Sequence, residues 1–263
     1  MNKDMSGLRA KKLFILDMDG TFYLGGRLIE GSLDFMRRLE ERGTGYIFFT
    51  NNSSRTPDFY SRKLAGMGCR TDVSSIVSSG DVTIKYLKEN YPSSAVYLAG
   101  TPELGESFAK AGIRLTGDRP DIVVVAFDTS LTYEKLTRIC TYIRGGALFL
   151  ATHPDLNCPT EDGYIPDCGS MCAMITASTG VKPKYLGKPN PETVDMIRLI
   201  TGVGKEDMAF VGDRLYTDIA IGVNNGITSI LVLTGETSLE DARKSDIRPD
   251  YIFASLGELG GLL

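Results

Sequence analysis

The segment from Leu13 to Thr21, which reads Leu-Phe-Ile-Leu-Asp-Met-Asp-Gly-Thr, constrains the fold of this chain more than any other. Four consecutive apolar residues that end at two carboxylates are typical of a buried strand in a parallel sheet. Because side chains alternate along a strand, Asp17 and Asp19 point the same way if the extended backbone continues that far. Ligands bind at the carboxyl ends of strands in open parallel sheets, so we expect both acids at a binding site.

The spacing of the two acids favours a functional interpretation. Gly20 follows them and permits the tight turn that takes the chain away from the strand. Two neighbouring carboxylates repel each other, so their pairing indicates a bound cation and a negatively charged substrate. The alternative is a solvated turn after a core strand, which explains the Asp-Gly pair but not the paired acids.

The size and charge of the chain limit its function classes. A chain of 263 residues is long enough for two unequal domains. Its formal net charge is −4, without any basic block, which argues against nucleic acid as the main partner. The N-terminal residues 1–7 have no apolar signal core, and no apolar run reaches the ~20 residues that span a bilayer. We therefore expect a soluble cytoplasmic protein with no membrane attachment.

The five cysteines are odd in number and include no Cys-x-x-Cys pair. None of them lies at zinc-finger spacing from a histidine. This pattern favours reduced, packed thiols over a metal site or disulfide bonds. The residues are Cys69, Cys140, Cys158, Cys168 and Cys172.

A loop and a helix are expected after the first strand. Residues 22–29 include Gly25 and Gly26 and are predicted to form the loop. Ser32 is the expected N-cap of the helix, which has apolar residues at helical spacing and ends near Gly43. The helix then returns the chain for a second parallel strand over residues 46–49.

The second predicted strand ends in polar residues, Thr50-Asn51-Asn52-Ser53-Ser54. A right-handed crossover places Thr50 beside Asp17 if the two strands are neighbours. The segment supplies more hydrogen-bond donors than one helix cap requires. We therefore predict that Thr50, Asn51 and Asn52 bind phosphate oxygens, against the alternative of a capped turn.

The alternation of strands and helices starts again near Asn90 and predicts a second α/β unit. Its predicted elements are strands at residues 95–99, 122–127 and 147–151 and helices at residues 102–111 and after Thr132. We expect a Rossmann-like, doubly wound parallel sheet core formed by residues 1–88 and 184–263. Residues 89–183 are expected to form a smaller inserted α/β domain.

The stretch from Thr152 to Ser170 is predicted as a long loop rich in Pro, Asp and Gly. Such a loop inside a compact domain is usually functional or disordered. Helical spacing resumes at Met171, so we expect the loop to be ordered and to face the active site. It contains the only histidine, His153, which has neither a nucleophile elbow nor a second histidine with it. Loop structure or substrate contact is the expected role of His153, rather than catalysis.

Lys188 lies just before a predicted helix that has Asn190 as its N-cap and Pro191 as its first residue. A lysine at a helix N-terminus is electrostatically unfavourable unless an anion is bound nearby. Surface lysines are common, so the position alone leaves both interpretations open.

A further apolar segment, residues 208–212, also ends in an acid, Asp213. Asp218 follows five residues later at the start of a predicted helix. Asp213 alone could be a turn residue and Asp218 a helix cap. Because the strand-to-acid arrangement occurs twice in the chain, a shared metal site explains it better.

Together, these motifs resemble those of the haloacid dehalogenase superfamily of phosphotransferases. The matching pieces are Asp17-Met-Asp-Gly-Thr21, Thr50 after the second strand, Lys188 in Gly-Lys-Pro, and Gly212-Asp-Arg-Leu-Tyr-Thr-Asp218. Residues 48–54, 151–155 and 166–173 are similar to the branch that contains NagD-type and p-nitrophenyl phosphatases. That branch also includes phosphoglycolate, glycerol phosphate and pyridoxal phosphate phosphatases. One departure is His153, where many members of the branch carry Asn.

The resemblance implies Mg²⁺-dependent hydrolysis of a phosphate monoester through an aspartyl-phosphate intermediate. In this interpretation Asp17 is the nucleophile, and Asp19 protonates the leaving alcohol and then activates water. The metal ligands are Asp17, Asp213 and the main-chain carbonyl of Asp19. Asp218 orients Lys188 or a metal-bound water from behind the ligands.

The resemblance also assigns the substrate-binding residues. Donors placed in advance hold the transferring oxygens; the full set of expected substrate-binding residues is Gly20, Thr50, Asn51, Asn52, Asp155, Asn157 and Lys188. The inserted domain would act as a cap that excludes bulk water and contacts the leaving group through Asp155 and Asn157. Relatives often dimerise through this cap, so a homodimer is expected.

Two alternatives remain open at this point. A phosphomutase or other phosphotransferase would share every motif but transfer the phosphoryl group to an alcohol. A non-catalytic sensor of sugar phosphates would not require the intact set of Asp17, Asp19, Lys188 and Asp213. The physiological substrate stays open among sugar phosphates, phosphoglycolate, glycerol phosphate, nucleotide monophosphates and p-nitrophenyl phosphate.

Overall fold

A computed structural model describes residues 5–160 and 163–263 of the chain. Residues 1–4 of the N-terminal segment and residues 161–162 of the predicted long loop lie outside the described residues. The strands are β1 Leu13–Leu16, β2 Tyr23–Leu24, β3 Arg27–Leu28, β4 Gly45–Thr50, β5 Ile76–Ser78, β6 Val96–Ala99, β7 Ile122–Val125, β8 Leu148–Ala151, β9 Asn157–Thr160, β10 Gly163–Pro166, β11 Lys184–Tyr185, β12 Met208–Gly212, β13 Thr228–Val232 and β14 Tyr251–Phe253.

The α-helices lie between these strands and at both ends of the described chain. They are α1 Ser6–Arg9, α2 Ser32–Glu41, α3 Pro57–Gly66, α4 Ser79–Asn90, α5 Pro102–Lys110, α6 Tyr133–Arg144, α7 Cys168–Thr179, α8 Pro191–Thr201, α9 Ala220–Asn225, α10 Leu239–Lys244 and α11 Leu256–Leu262. A π-helical turn, Leu215–Ile219, leads into α9.

The chain divides into two compact units. The core unit contains the residues up to Thr50 together with Ser61–Val77 and Lys188–Leu263, and the inserted unit contains Asn51–Tyr60 and Ser78–Gly187. The expected boundary after residue 88 falls inside α4, which belongs to the inserted unit throughout its length. That the inserted unit acts as a cap stays a prediction.

The core unit contains a six-stranded sheet in the order β14-β13-β12-β1-β4-β5. Parallel pairing joins β14 through β4. Every residue of β1 and β12 is buried, as expected for central strands of a sheet that has helices on both faces. Leu16 pairs with Phe48 of β4 and with Val211 of β12, so three strands end at the same edge. The predicted fold class is confirmed, and Thr50 lies on a neighbour of the strand that precedes Asp17.

Two local predictions in the core unit are wrong. The predicted loop at residues 22–29 contains the short antiparallel hairpin β2–β3. Gly31, with φ of 86°, is the N-cap of α2 instead of Ser32. Ser32 is the first helical residue, and its buried hydroxyl donates a hydrogen bond of 2.8 Å to the carbonyl of Phe22. The hydroxyl therefore binds the preceding loop, and the N-cap takes a left-handed conformation that glycine adopts without strain.

The inserted unit has its own parallel sheet, in the order β11-β8-β7-β6. Its apolar core lies between this sheet and helices α6 and α7, with buried Phe127, Phe149 and Ile175 among its members. Asp167 is the N-cap of α7. The stretch predicted as a long loop contains the antiparallel hairpin β9–β10.

Two expectations drawn from composition can be compared with the described residues. Within residues 5–160 and 163–263, no helix combines the length and the apolar character needed to cross a membrane. The five cysteines, all of them described, form no disulfide bond with one another. Four are buried and Cys158 is partly exposed.

Candidate active site

The candidate site lies in the core unit at the carboxyl ends of β1 and β12. Asp17 follows β1 directly, and its amide donates a 2.9 Å hydrogen bond to the carbonyl of Val211, so the extended backbone continues through it. Asp213 follows β12 in the same way. The prediction that acids from two distant parts of the sequence meet at one sheet edge agrees with this register.

Lys188 is the central cation of the site. Its side chain is only 2% exposed, and Nζ lies 2.5 Å from Oδ1 of Asp17 and 2.6 Å from Oδ1 of Asp218. Nζ also lies over the rings of Phe49 and Phe210, 5.4 Å from each ring centre. The lysine is therefore part of the interior of the core unit, with its charge directed at two carboxylates.

Asp218 holds this arrangement in place from the π-helical turn. Its Oδ2 accepts a 3.0 Å hydrogen bond from the amide of Arg214, while its Oδ1 accepts a 2.6 Å hydrogen bond from Nζ of Lys188. A Cβ on Gly212 would collide with the Asp218 side chain, so glycine at this position allows the close approach. Asp218 thus contacts Lys188 directly, and its predicted role of orienting Lys188 or a metal-bound water stays a prediction.

Asp213 is fixed by a loop that the sequence did not identify as functional. Its Oδ2 accepts a 2.7 Å hydrogen bond from the amide of Glu236, and Thr21 donates to its Oδ1 at 3.3 Å. A Cβ on Gly20 would lie 2.6 Å from Oδ2 of Asp213, and one on Gly235 would also collide with that carboxylate. This loop follows strand β13, which ends at the same edge of the sheet. No acid follows β13 directly, so the sequence gives no sign that the loop is functional.

Burial and mutual repulsion perturb the titration of these acids. Burial raises the pKa of Asp17 well above its ordinary value of 3.8; Lys188 opposes this, and Asp218 and Asp213 add to it. Burial, with the charge of Asp218, raises the pKa of Asp213 to about 6. Burial acts to lower the pKa of Lys188, but Asp17 and Asp218 outweigh it and raise that pKa, so the ammonium stays charged.

The donor set fits a hard divalent cation. Carboxylate oxygens of Asp17, Asp213 and Asp218 all lie within 4.8 Å of one another. Three carboxylates against the single ammonium of Lys188 leave two negative charges when all four groups are ionised. Carboxylate oxygens are the ligands that Mg²⁺ prefers. Asp17 and Asp213, which directly follow strands β1 and β12, stay the predicted side-chain ligands of the ion.

Asp19 lies in the turn after Asp17 and is partly buried. It forms a β-bridge with Tyr23, and the amide of Gly20 donates a 2.8 Å hydrogen bond to the carbonyl of Tyr23. Burial raises the pKa of Asp19, while the charges of Lys63 and Arg214 act in the opposite direction. Lys63 lies over the Tyr23 ring, with Nζ 3.9 Å from the ring centre. The role of Asp19 as an acid and base stays a prediction.

The other predicted substrate-binding residues divide between the units. Thr50 is the buried last residue of β4 in the core unit. Asn51, Asn52, Asp155 and Asn157 belong to the inserted unit. Within it, Nδ2 of Asn51 donates a 2.9 Å hydrogen bond to the buried carboxylate of Asp155, and Asn157 is exposed in β9. Their contacts with a substrate stay predictions.

A doubly wound sheet with buried acids and a lysine at the carboxyl ends of its strands is typical of an enzyme that binds a cation and an anionic substrate. Residues 14–114 match the family model of haloacid dehalogenase-like hydrolases, and residues 185–259 match a second, HAD-hydrolase-like model. An acid sugar phosphatase of Staphylococcus aureus is 35% identical over 252 residues, which are 95% of this chain and 97% of that protein.

Solved structures agree with these matches. A 4-nitrophenylphosphatase from Thermotoga maritima superposes with a TM-score of 0.94 at 48% identity, over 97% of this chain and 98% of that one. NagD from E. coli superposes with a TM-score of 0.88 at 30% identity, over 94% of this chain and 98% of that one. The chain therefore belongs to the haloacid dehalogenase-like hydrolases, and within them to the NagD-like phosphatases.

Proposed function

We propose that the protein hydrolyses small phosphate monoesters with Mg²⁺ and that Asp17 carries the phosphoryl group transiently. NagD-like phosphatases are phosphoric monoester hydrolases, and this membership makes the chain one of them. Its relatives named above are an acid sugar phosphatase and a 4-nitrophenylphosphatase. These names make sugar phosphates and aryl phosphates the first substrates to test.

The observation that carries the proposal is the pairing of Asp17 with Lys188. The Asp17 carboxylate, whose side chain is 13% exposed, lies 2.5 Å from a buried ammonium. A need for stability explains this poorly, because desolvation of the two charges offsets most of their attraction. An ammonium at this point neutralises Asp17 and attracts a phosphate dianion to the same place. The cluster keeps a net negative charge, which a divalent cation can neutralise.

The reaction proceeds in two displacements. A carboxylate oxygen of Asp17 attacks phosphorus, the bond between phosphorus and the leaving alkoxide breaks, and Asp19 gives its proton to the departing oxygen. Asp19, now ionised, then takes a proton from water, whose oxygen attacks phosphorus and releases inorganic phosphate and free Asp17. Lys188 and Thr50 hold the equatorial oxygens during both steps.

Asp17, Asp213 and the main-chain carbonyl of Asp19 would hold the magnesium ion. When bound, the ion supplies positive charge that offsets the repulsion between Asp17 and the phosphate dianion. Asp218 keeps Lys188 directed at Asp17, and the loop of Gly235 and Glu236 keeps Asp213 in place for the ion.

The inserted unit is proposed to select the substrate. Asn51, Asn52, Asp155 and Asn157 are its predicted contacts, and binding energy from the organic part of the substrate would act through them. Homodimer formation through this unit, expected from the family resemblance, and a cytoplasmic location both stay predictions.

A panel of phosphate monoesters, assayed for free phosphate with Mg²⁺ and with EDTA, tests the proposal. We expect turnover of 4-nitrophenyl phosphate and of at least one sugar phosphate, loss of turnover in EDTA, and recovery when Mg²⁺ is added in excess. The Asp17→Asn variant should bind substrate without hydrolysing it. Full activity in EDTA, or turnover by Asp17→Asn, would reject the proposed chemistry. Phosphate transferred to an alcohol instead of released would identify a phosphotransferase.

A further inference from the structure

His153 is at the centre of a buried hydrogen-bond network in the inserted unit that the proposed chemistry does not use. Its Nε2 lies 2.8 Å from Oδ1 of Asp167, the N-cap of α7. Its Nδ1 lies 2.9 Å from the hydroxyl of Thr152 and 3.3 Å from that of Ser79. The imidazole is fully buried, so each ring nitrogen faces protein groups.

The contacts fit a ring that carries hydrogen on both nitrogens. The single hydroxyl proton of Ser79 is donated to the carbonyl of Asn51 at 2.5 Å, so the Ser79 oxygen can only accept from Nδ1. The Asp167 carboxylate, which also accepts from the amide of Cys168 at 2.6 Å, can only accept from Nε2. An imidazolium, which carries hydrogen on both ring nitrogens, can donate to Asp167 from Nε2 and to the hydroxyl oxygens from Nδ1, so it satisfies all of these contacts.

The charges around the ring agree with this assignment. Burial acts to lower the pKa of His153, but Asp167 and, to a smaller extent, Cys168 and Asp155 outweigh it and raise the pKa to about 9. At neutral pH the His153–Asp167 contact is thus an ion pair inside the unit.

The same network binds two linkers, which are two of the four places where the chain passes between the units. Asn51 is the first residue after Thr50, and Gly187 is the last residue before Lys188. The amide of Gly187 donates a 2.7 Å hydrogen bond to the carbonyl of Thr152. A Cβ on Gly187 would lie 2.6 Å from both Oδ1 of Asn51 and the Thr152 carbonyl. The two linkers are therefore in close contact with each other and with the residue that precedes His153.

We propose that His153, held as an imidazolium by Asp167, is a positioning residue that fixes Asn51 and Gly187 and thereby the backbone of Thr50 and Lys188. This inference rests on the proposed function, in which Thr50 and Lys188 hold the transferring phosphoryl oxygens. Each is covalently joined to a residue of the network, so loosening the network allows both to move. Misplacement by ~1 Å in a site of this kind costs on the order of 100-fold in rate.

The variants Asp167→Asn and His153→Asn test the inference. Asparagine is as good an N-cap as aspartate, so Asp167→Asn keeps helix α7 and removes only the charge. Lys135→Gln is the matched control, since it removes another ion pair of the inserted unit, that with Asp128 at 2.7 Å. The readouts are kcat and KM for 4-nitrophenyl phosphate with Mg²⁺, and amide hydrogen exchange of the peptide that contains Gly187.

Each of the two variants is expected to lower kcat about 10- to 100-fold with little change in KM, because alignment in the transition state is lost. The double variant should be no slower than the slower single one, since both changes break one contact. Exchange at Gly187 should become faster in both variants. Lys135→Gln should keep wild-type kcat and wild-type exchange.

Wild-type kcat in folded Asp167→Asn and His153→Asn would overturn the inference, and so would unchanged exchange at Gly187. The two proposals fail differently. A wild-type protein without hydrolytic activity refutes the proposed function, and exchange at Gly187 still reports whether the network holds the linker.

Discussion

Replacement of Lys188 by methionine removes the ammonium that contacts both Asp17 and Asp218 and keeps an unbranched side chain near the rings of Phe49 and Phe210. Buried carboxylates without a counter-ion do not stay ionised, because desolvation disfavours the charged form and raises their pKa. Holding one carboxyl protonated at pH 7, against its ordinary pKa of 3.8, costs about 4 kcal/mol, at about 1.4 kcal/mol per pH unit. This agrees with the roughly 3–5 kcal/mol found when a buried ion pair is broken.

The same reasoning predicts how the loss of stability in Lys188→Met depends on pH. The folded variant binds one proton more than the unfolded chain, so its stability rises as the pH falls. Because Lys188 lowers the pKa of Asp17 in the wild type, the folded variant binds more protons than the folded wild type at pH 7, and the deficit of about 4 kcal/mol should shrink towards pH 5.

Urea unfolding of both proteins at the two pH values, in EDTA, measures the deficit. Lys12→Met is the control, because Lys12 forms an exposed ion pair with Asp207 in the same unit and its loss should change little. A Lys188→Met protein as stable as wild type at pH 7, or a deficit that does not depend on pH, would refute the reasoning.

Two further variants test the surroundings of Asp17. Gly235→Ala should raise the Mg²⁺ concentration needed for half-maximal activity about 10- to 100-fold, because the new methyl group displaces the Asp213 carboxylate. Gly261→Ala is the control and should leave that concentration unchanged, since a Cβ at Gly261 would meet nothing within 4 Å. Equal Mg²⁺ dependence of the two variants would contradict this account. Asp19→Asn should lower kcat about 10²- to 10⁴-fold for a sugar phosphate, and less for 4-nitrophenyl phosphate, whose leaving group departs without a proton. An equal loss for both substrates in initial-rate assays would remove Asp19 as the general acid.

The central strands could be predicted from the sequence because burial on both faces leaves a continuous apolar run. Residues 13–16 and 208–211 have such runs, and the acids that follow them lie where the rule for parallel sheets places them. The position of Lys188 could be inferred only as a charge near a helix start. Its contacts span 171 residues to Asp17 and 30 to Asp218, and no local pattern encodes a pairing over such distances.

The features that sequence reasoning missed have physical reasons as well. The loop of Thr234, Gly235 and Glu236 acts through a backbone amide and through the absence of a side chain, and neither gives a motif of charged residues. The chain passes between the units after Thr50, Tyr60, Val77 and Gly187, and the passages after Tyr60 and Val77 fall inside α3 and β5, where no linker composition marks them. Ser32 was misplaced as a cap because its hydroxyl binds Phe22, a tertiary contact that propensity does not report.

The central claim is that Asp17 becomes esterified by phosphorus during turnover. Acid quenching during steady-state hydrolysis, followed by borohydride reduction, converts a phosphorylated aspartate to homoserine, and mass spectrometry of the peptide with residues 13–21 locates it. We predict homoserine at position 17 only in samples that contained substrate and Mg²⁺, and none in Asp17→Asn. Homoserine at another acid, or a fully active enzyme with no modified peptide, would contradict the claim.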